Sequence, residues 1–214
     1  MQILEVISLP LPGVKVIRYR RHRDERGYFS ESYRESDFRK LGEGPLKGEN
    51  LNFLQANESR SAAKVIRGLH FQWDPPMGKL VRTLYGRMVD LVLDLRLNSP
   101  TLGKIIAYDM PFDPESDWGE WIWVPPGLAH GNYFTVDSAI EYFCAAEYNP
   151  AAEAGISPLA PDLDWSEADP RLRDEFAGLL REGPILSPKD RAGLSRAEWL
   201  SSPRAQVFRY GEKP

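Results

Sequence analysis

The chain has 214 residues, of which 42% are hydrophobic and 27% charged, with a formal net charge of −4. This composition is typical of a globular protein, and the acidic balance argues against nucleic acid as a partner. A single cysteine, Cys144, excludes an intrachain disulfide; with no signal-peptide pattern and no long apolar run, we expect a cytoplasmic protein without membrane contact.

Short β-rich runs separated by turn residues fill the first three quarters of the chain. Many short strands with frequent turns indicate an antiparallel sandwich or barrel. Segments 40–50 and 110–120, which are rich in Gly, Pro or acidic residues, are predicted to be loops between such strands. Strands are predicted over residues 14–20, 28–33, 51–55, 64–72, 104–109, 121–124, 130–135 and 139–145.

The clearest pattern lies between Leu80 and Arg96. A β-rich run ends at Tyr85, Gly86 and Arg87 form a turn, and apolar residues then alternate over positions 89–95. A period of two on either side of a central glycine predicts a β-hairpin.

The C-terminal part changes to helical patterns. Asp169 and Pro170 form a helix start and Gly183 a helix end, while Ser195 and Glu198 form a capping-box pattern. We therefore predict a single domain with a β core over about residues 10–165 and a helical tail over about 166–214.

His70 is the first candidate for chemistry, because neutral imidazole is well suited to accept a proton near pH 7. A lone histidine is more often a core residue bonded to a backbone carbonyl. In a strand, His70 shares its face with Gly68 and Gln72. Arg67 lies on the opposite face unless a bulge or bend changes its direction.

Lys79, His130 and Tyr142 have structural interpretations as well. Lys79 is typical of a solvated strand end, although an ammonium there could stabilise an enolate oxygen or a phosphate. His130 follows a tight turn, and Tyr142 fits a half-buried strand position.

A metal site is not expected from the histidines. The chain has three, no His-x-His pair is present, and His22 lies in a basic run. A metal-dependent oxygenase of the cupin class is therefore the weakest of the alternatives.

Taken together, the motifs resemble the dTDP-4-dehydrorhamnose 3,5-epimerase family over about residues 10–195. The matching blocks are Asp24–Glu31, Gln55–Ser61, Arg67–Gln72, Lys79–Arg82, Asp94–Arg96 with Ser99–Thr101 and Gly103, Val124–Gly131, Tyr142, Tyr148–Pro150 and Leu186–Arg191. The resemblance implies an all-β, jelly-roll (cupin-like) antiparallel β barrel with short C-terminal helices, acting as a homodimer without metal or other cofactor.

The resemblance also implies a nucleotide-linked 4-keto-6-deoxyhexose as the substrate and a role for each matching residue. His70 would be the base, Tyr142 the acid on the opposite face, and Lys79 the residue that stabilises the enolate. The implied substrate-binding residues are Arg26 and Arg67 for the diphosphate, Tyr148 for the nucleobase, and Glu31, Gln55, Asn57 and His130.

One departure from the family pattern concerns the support of His70. The family is expected to place an aspartate after a Gly-Ile pair to hold the histidine, and here the corresponding residue is Ala160. Asp162 or Asp164 would be the replacement.

Two hypotheses follow from these observations. The first is an epimerase that inverts carbon 3, carbon 5 or both. The second is a non-catalytic or weakly active member of the family that binds a sugar nucleotide, and Ala160 is the feature that favours it.

Overall fold

The computed structural model describes residues 1–212, and most of its ordered elements are strands. None of the helices within these residues is both long and apolar enough to cross a membrane. The strands are β1 (Ile3–Ser8), β2 (Lys15–Arg20), β3 (His22–Asp24), β4 (Gly27–Phe29), β5 (Gln55–Ser61), β6 (Ile66–Gln72), β7 (Lys79–Tyr85), β8 (Arg87–Asp94), β9 (Ile105–Pro111), β10 (Trp118–Val124), β11 (Leu128–Phe134), β12 (Ser138–Cys144) and β13 (Glu153–Gly155). The helices are α1 (Glu35–Glu43), α2 (Pro170–Arg181), α3 (Pro188–Arg191) and α4 (Arg196–Ser201), with 3-10 turns at Pro150–Ala152 and Pro203–Val207.

Two antiparallel sheets face each other and enclose the interior. One has six strands in the order β1-β2-β10-β7-β12-β5, and the other has five in the order β13-β6-β11-β8-β9. Side chains from both sheets, including Val81, Val92 and Ile122, form one apolar cluster between them. The predicted all-β jelly-roll fold is confirmed, with two open sheets rather than one closed sheet.

Each outer face of the sandwich is covered by helices. α2 contributes Leu172 and Phe176 to the cluster on the five-stranded sheet, α4 contributes Trp199, and the last 3-10 turn contributes Ala205. α1 contributes Phe38 and Leu41 to the cluster on the six-stranded sheet.

The predicted helix starts are confirmed in the C-terminal part. The Asp169 side chain caps the first turn of α2, and Ser195 and Glu198 form the reciprocal capping box of α4. Each cap satisfies backbone amides that have no partner within the helix.

The predicted hairpin over Leu80–Arg96 is wrong. β7 and β8 are strands, but they lie in different sheets, and the turn at Gly86 (φ +77°) carries the chain from one sheet to the other. β8 is buried almost throughout because apolar layers cover both of its faces. Its alternation therefore reflects two buried faces and not a solvent-exposed hairpin.

Some elements have no hydrophobic signal and were missed or misplaced. β5 begins where the prediction over 51–55 ends, because its residues are polar and alternate between the interior and the surface. α1 extends into the predicted loop over 40–50, β1 was not predicted, and the strand over 28–33 ends at Phe29. β9 and β10 shorten the predicted loop over 110–120 to residues 112–117.

A bulge at Gly68 sets the direction of the side chains on β6. His70 pairs with His130 of β11, but Arg67 pairs with Asn132, so three residue steps on β6 face two on β11. The extra residue reverses the alternation, and Arg67 and His70 lie on the same face. Gly68 has φ +103°, and a Cβ there would lie 2.6 Å from the Cα of Gly131.

We expect Gly68→Ala to lower the free energy of unfolding by roughly 3 kcal/mol, because overpacking costs about 1–3 kcal/mol and a positive φ adds about 1 kcal/mol. Gly183→Ala is the matched control, since Gly183 also has a positive φ but open space around it. That variant should lose only about 1 kcal/mol. Urea unfolding of both proteins measures the difference, and equal losses would contradict the close approach at Gly68.

Candidate functional site

Six of the predicted site residues line one cavity of about 290 Å³ at one end of the sandwich. The cavity opens between β6 on one sheet and β7, β12 and β5 on the other. The predicted residues in its lining are Gln55, Asn57, His70, Lys79, Tyr142 and Tyr148. The fold therefore brings together residues that are 93 positions apart in the chain.

His70 is held by a carboxylate from the C-terminal part. Its Nε2 lies 2.6 Å from Oδ1 of Asp190, which is on α3. A carboxylate only accepts hydrogen bonds, so Nε2 carries the proton and donates it to Asp190. The lone pair of His70 is therefore on Nδ1, and this nitrogen is available as a base.

Asp190 is 7% exposed, yet the pKa of its carboxyl is lowered. Burial by itself would raise the pKa of its carboxyl, but hydrogen bonds and charge from His70, with bonds from Ser187 and the Gly68 backbone amide, outweigh that effect. The pKa of Asp190 consequently lies below its ordinary value. An ionised carboxylate behind the imidazole fixes its tautomer and stabilises its protonated form.

The expectation that the support of His70 is missing at Ala160 is therefore wrong. Ala160 packs against the apolar cluster beside the helices, and Asp190 holds the histidine. The proposed replacements serve elsewhere: Asp162 accepts from the Ala197 amide and Asp164 from the Ser166 amide. The Leu186–Arg191 block contains Asp190, but sequence distance hides its contact with His70.

Lys79 and Tyr142 face the cavity from the six-stranded sheet, opposite His70. Burial lowers the pKa of Lys79, and electrostatic interaction with the neighbouring acidic groups Glu153 and Asp90 partly offsets this effect. Burial raises the pKa of Tyr142, so its hydroxyl is protonated at neutral pH. The Lys79 Nζ lies 3.4 Å from the His70 carbonyl oxygen and spans the gap between the sheets.

Arg67 and His130 lie beside the cavity. The bulge turns Arg67 towards β5, where its Nε donates to the Ser61 hydroxyl at 2.8 Å. His130 is 7% exposed, pairs with His70 across the strands, and bonds Asp90 through Nε2 at 2.6 Å.

Arg26 and Glu31 are not in the cavity of their own chain. Arg26 lies on the small β3–β4 hairpin, where its side chain is 85% exposed and pairs with Asp24. Glu31 forms ion pairs with the N-terminal amine and with Arg34.

Sequence reasoning also missed residues in the cavity wall. Glu153 lines the cavity, forms an ion pair with Lys189, and lies 3.5 Å from the Tyr148 hydroxyl. Gln72 anchors the backbone around Asn149, because its Oε1 accepts a hydrogen bond from the Asn149 amide at 2.8 Å. Gln72 lies two residues after His70 on the same strand face, and this position could have identified it from the sequence. Glu153 lies on β13, a short strand without a clear hydrophobic pattern.

Within residues 1–212, no group of three or more His, Cys, Asp or Glu side chains is placed to hold a metal ion. The donors at the cavity are instead paired as imidazole with carboxylate and as carboxylate with ammonium.

The sequence profile of the dTDP-4-dehydrorhamnose 3,5-epimerase family matches residues 8–198. The chain belongs to this family. The family enzyme of Pseudomonas aeruginosa is 32% identical over 199 residues, which cover 91% of this chain and 97% of that protein. The one of Neisseria gonorrhoeae is 34% identical over 199 residues and 91% of this chain, but the chain spans only 53% of its length.

Solved structures of similar epimerases have the same fold. A dTDP-6-deoxy-D-glucose-3,5-epimerase from Legionella pneumophila, in complex with dTDP-4-keto-L-rhamnose, is 31% identical with a TM-score of 0.76, over 98% of this chain and 99% of that one. A 3'-monoepimerase from Streptomyces bikiniensis, in complex with dTDP-quinovose, is 26% identical with a TM-score of 0.70, over 93% and 89%.

The low pKa of Asp190 predicts a pH dependence of stability. A carboxyl whose pKa is lower in the folded state stabilises the fold above its unfolded pKa of about 4, and this contribution is lost as the pH falls through the folded value. The free energy of unfolding of the wild type should therefore fall more steeply below about pH 5 than that of Asp190→Asn. Asp174→Asn, which changes an exposed carboxylate of α2, is the control and should follow the wild type. Equal slopes for Asp190→Asn and the wild type would contradict the assignment.

Proposed function

We propose that the protein is an epimerase that inverts carbon 3, carbon 5 or both of a nucleotide-linked 4-keto-6-deoxyhexose. The observation that carries this proposal is the placement of His70, backed by Asp190, and Tyr142 on the two opposite sheets of one cavity. An inversion needs a base on one face of the sugar and an acid on the other, and the two sheets supply these positions.

The first step is removal of a proton from carbon 3 or carbon 5. The ketone at carbon 4 acidifies both hydrogens, because the electron pair that remains moves onto the ketone oxygen. His70 Nδ1 accepts the proton, and the negative charge of Asp190 stabilises the imidazolium that forms. Neither this step nor its reversal requires a redox cofactor.

Lys79 stabilises the enolate that the first step creates. Its Nζ reaches into the gap between the two sheets, where a positive charge would stabilise the oxygen at carbon 4. Tyr142 then donates its phenolic proton to the carbon from the other face. Its pKa is raised by burial, and the guanidinium of Arg67 lowers it in part, which favours release of the proton.

The nucleotide part of the substrate extends from this cavity. Arg67 offers a planar guanidinium that suits a diphosphate, and its Nε and Nη2 are braced by Ser61 and the Arg60 carbonyl. Tyr148 is 53% exposed at the edge of the cavity, where its ring can stack on a nucleobase. Gln55 accepts from the Tyr148 amide and donates to Asn57, so these three residues form one connected wall.

A second copy of the chain would complete the site through the β3–β4 hairpin. The hairpin follows β2 at Arg20, which pairs with Trp118, whereas Lys79 pairs with Val124 at the other end of β10. Six residue steps separate these ends, or roughly 20 Å at about 3.3 Å per residue. Arg26 therefore lies near the opposite end of β10 from the cavity of its own chain, and a homodimer would place it at the partner's cavity with the exposed ring of Phe29.

Ala160 no longer favours a non-catalytic member of the family, because Asp190 supplies the carboxylate that was expected at position 160. We propose the cytoplasm as the compartment, because a nucleotide sugar carries diphosphate charge and does not cross membranes unaided. Absence of nucleic-acid binding also stays a prediction from the acidic net charge.

Proton exchange tests the reaction. With dTDP-4-keto-6-deoxyglucose in heavy water, NMR should detect deuterium entering carbon 3, carbon 5 or both, because the removed proton is replaced from solvent. His70→Ala should reduce this exchange by at least about 10³-fold, and Asp190→Asn by about 10²-fold. Asp162→Asn is the matched control and should leave exchange unchanged. Exchange that does not depend on His70 would contradict the assignment of the base.

Mixing two inactive variants tests the shared site. Arg26→Ala and His70→Ala each damage one half of every site in their own homodimers. In a mixed dimer, one cavity combines an intact His70 with an intact Arg26 from the other copy. Random mixing should restore about a quarter of the wild-type activity, because half of the dimers carry one working site of two.

Refolding the two variants together and separately provides the comparison. No recovery in the mixture, with both variants dimeric, would show that Arg26 does not act across the interface. A mixture of His70→Ala with Asp190→Asn is the control and should recover nothing, because both changes affect the same half of the site.

A further inference from the structure

The β3–β4 hairpin contacts the rest of its own chain through one of its two faces. Arg23 and Tyr28 are directly opposite each other in the hairpin, and His22 and Phe29 form another opposed pair. Side chains alternate along a strand, so these two pairs lie on opposite faces. The guanidinium of Arg23 donates to the loop over 112–117, whereas the side chain of Phe29 is free of such contacts and 72% exposed.

Arg21, which lies between β2 and β3, makes the second contact of the Tyr28 face. Its guanidinium carbon lies 4.4 Å from the centre of the Tyr28 ring and 5.1 Å from the centre of the Phe112 ring. Phe112 begins the loop over 112–117, and in this loop the Asp113 carbonyl oxygen accepts a hydrogen bond from Arg21 Nη1 at 2.6 Å. Arg21 therefore joins the hairpin to the body of the sandwich.

Arg21 is poorly paired for a buried guanidinium. It is 7% exposed, its Nε has no hydrogen-bond partner, and no carboxylate among residues 1–212 forms an ion pair with it. Arg96 is buried to a similar extent, but it donates to both carboxylate oxygens of Asp94 and to the Pro12 carbonyl oxygen. A charge taken out of water without a counter-charge is costly. The stability of the fold therefore does not explain why Arg21 is buried against two rings.

The other contacts of the hairpin are too weak to fix its direction. Its ion pair with the loop uses Glu115, whose side chain is 80% exposed, and water and salt weaken such pairs. Arg26 at the tip pairs within the hairpin itself. Two strands of three residues are only marginally stable by themselves. The contact of Arg21 with the two rings is the one that shields a charge from water, where attraction between a cation and a ring is strongest.

We propose that Arg21 and Tyr28 are positioning residues that hold the β3–β4 hairpin in the direction from which Arg26 and Phe29 reach the cavity of a second copy. Neither Arg21 nor Tyr28 touches the substrate, because both act through the hairpin. This inference rests on the proposed function, and it explains how a hairpin with an exposed tip can present Arg26 to a diphosphate.

Binding of dTDP to the homodimer, measured by calorimetry, tests the proposal without turnover. Tyr28→Ala and Arg21→Gln should each raise the Kd for dTDP by about 10-fold, because the hairpin loses the contact that directs it. The KM for dTDP-4-keto-6-deoxyglucose should rise with the Kd, while kcat stays close to wild type. Tyr28→Phe keeps the ring and should bind dTDP like the wild type. Arg39→Gln removes the same charge from an exposed position of α1 and controls for net charge.

The unfolding temperature separates a positioning role from a structural one. Arg21→Gln removes a buried charge that has no carboxylate partner, so the unfolding temperature should stay the same or rise while dTDP binding weakens. A lower unfolding temperature together with a wild-type Kd for dTDP would make Arg21 a structural residue and overturn the proposal.

A double variant tests whether Tyr28 acts through Arg26. Arg26→Ala removes the guanidinium that the hairpin presents, so adding Tyr28→Ala should raise the Kd for dTDP by less than about a further 3-fold. If the double variant loses the full product of the two single effects, Tyr28 acts independently of Arg26 and the proposal is wrong.

Hydrogen exchange separates this inference from the proposed function. The amides of residues 22–29 should exchange about 10-fold faster in Tyr28→Ala than in the wild type or Tyr28→Phe. If the wild type epimerises no 4-keto sugar, the proposed function fails, and hydrogen exchange still decides whether Arg21 and Tyr28 hold the hairpin. If Arg26→Ala weakens dTDP binding but Tyr28→Ala and Arg21→Gln do not, the proposed function stands and this inference is wrong.

Discussion

The close approach of β6 and β11 at Gly68 is the constraint on which the site depends. The bulge there reverses the alternation of β6, so that Arg67 and His70 share a face that strict alternation would not give them. A Cβ added at the same glycine would lie 2.7 Å from the His130 carbonyl oxygen. Its backbone amide also contributes to the low pKa of Asp190. One backbone position therefore orders His70, Asp190 and the guanidinium of Arg67 together.

The two-sheet architecture places His70 opposite Tyr142 and Lys79, which a single sheet would not do. His70 is on the five-stranded sheet, whereas Tyr142 and Lys79 are on neighbouring strands of the six-stranded sheet. A flat ring held between the sheets has one face towards each, which is the geometry that inversion of a carbon centre requires. The apolar cluster below the cavity keeps the sheets apart and excludes water from its floor.

The titratable side chains at this end of the sandwich are organised mostly in pairs. His70 pairs with Asp190, His130 with Asp90, and Lys189 with Glu153, while Lys79 has no carboxylate of residues 1–212 within hydrogen-bonding distance. Partial pairing is costly in the interior, and such costs are typical of functional sites. The hairpin that carries Arg26 differs from this end of the sandwich, because it is exposed and packs little against the rest of its own chain.

The sequence by itself determined the local elements and the chemistry of the site. Apolar alternation identified most core strands, the caps at Asp169 and Ser195 fixed the starts of α2 and α4, and the family motifs selected six residues that line one cavity. Only the tertiary structure decided that β7 and β8 belong to different sheets, that Arg67 shares a face with His70, and that Asp190 holds His70 across 120 residues. The physical reason is that periodicity reports the conformation and the buried faces of a segment, whereas strand neighbours, bulges and long-range hydrogen bonds depend on which segments meet when the chain closes.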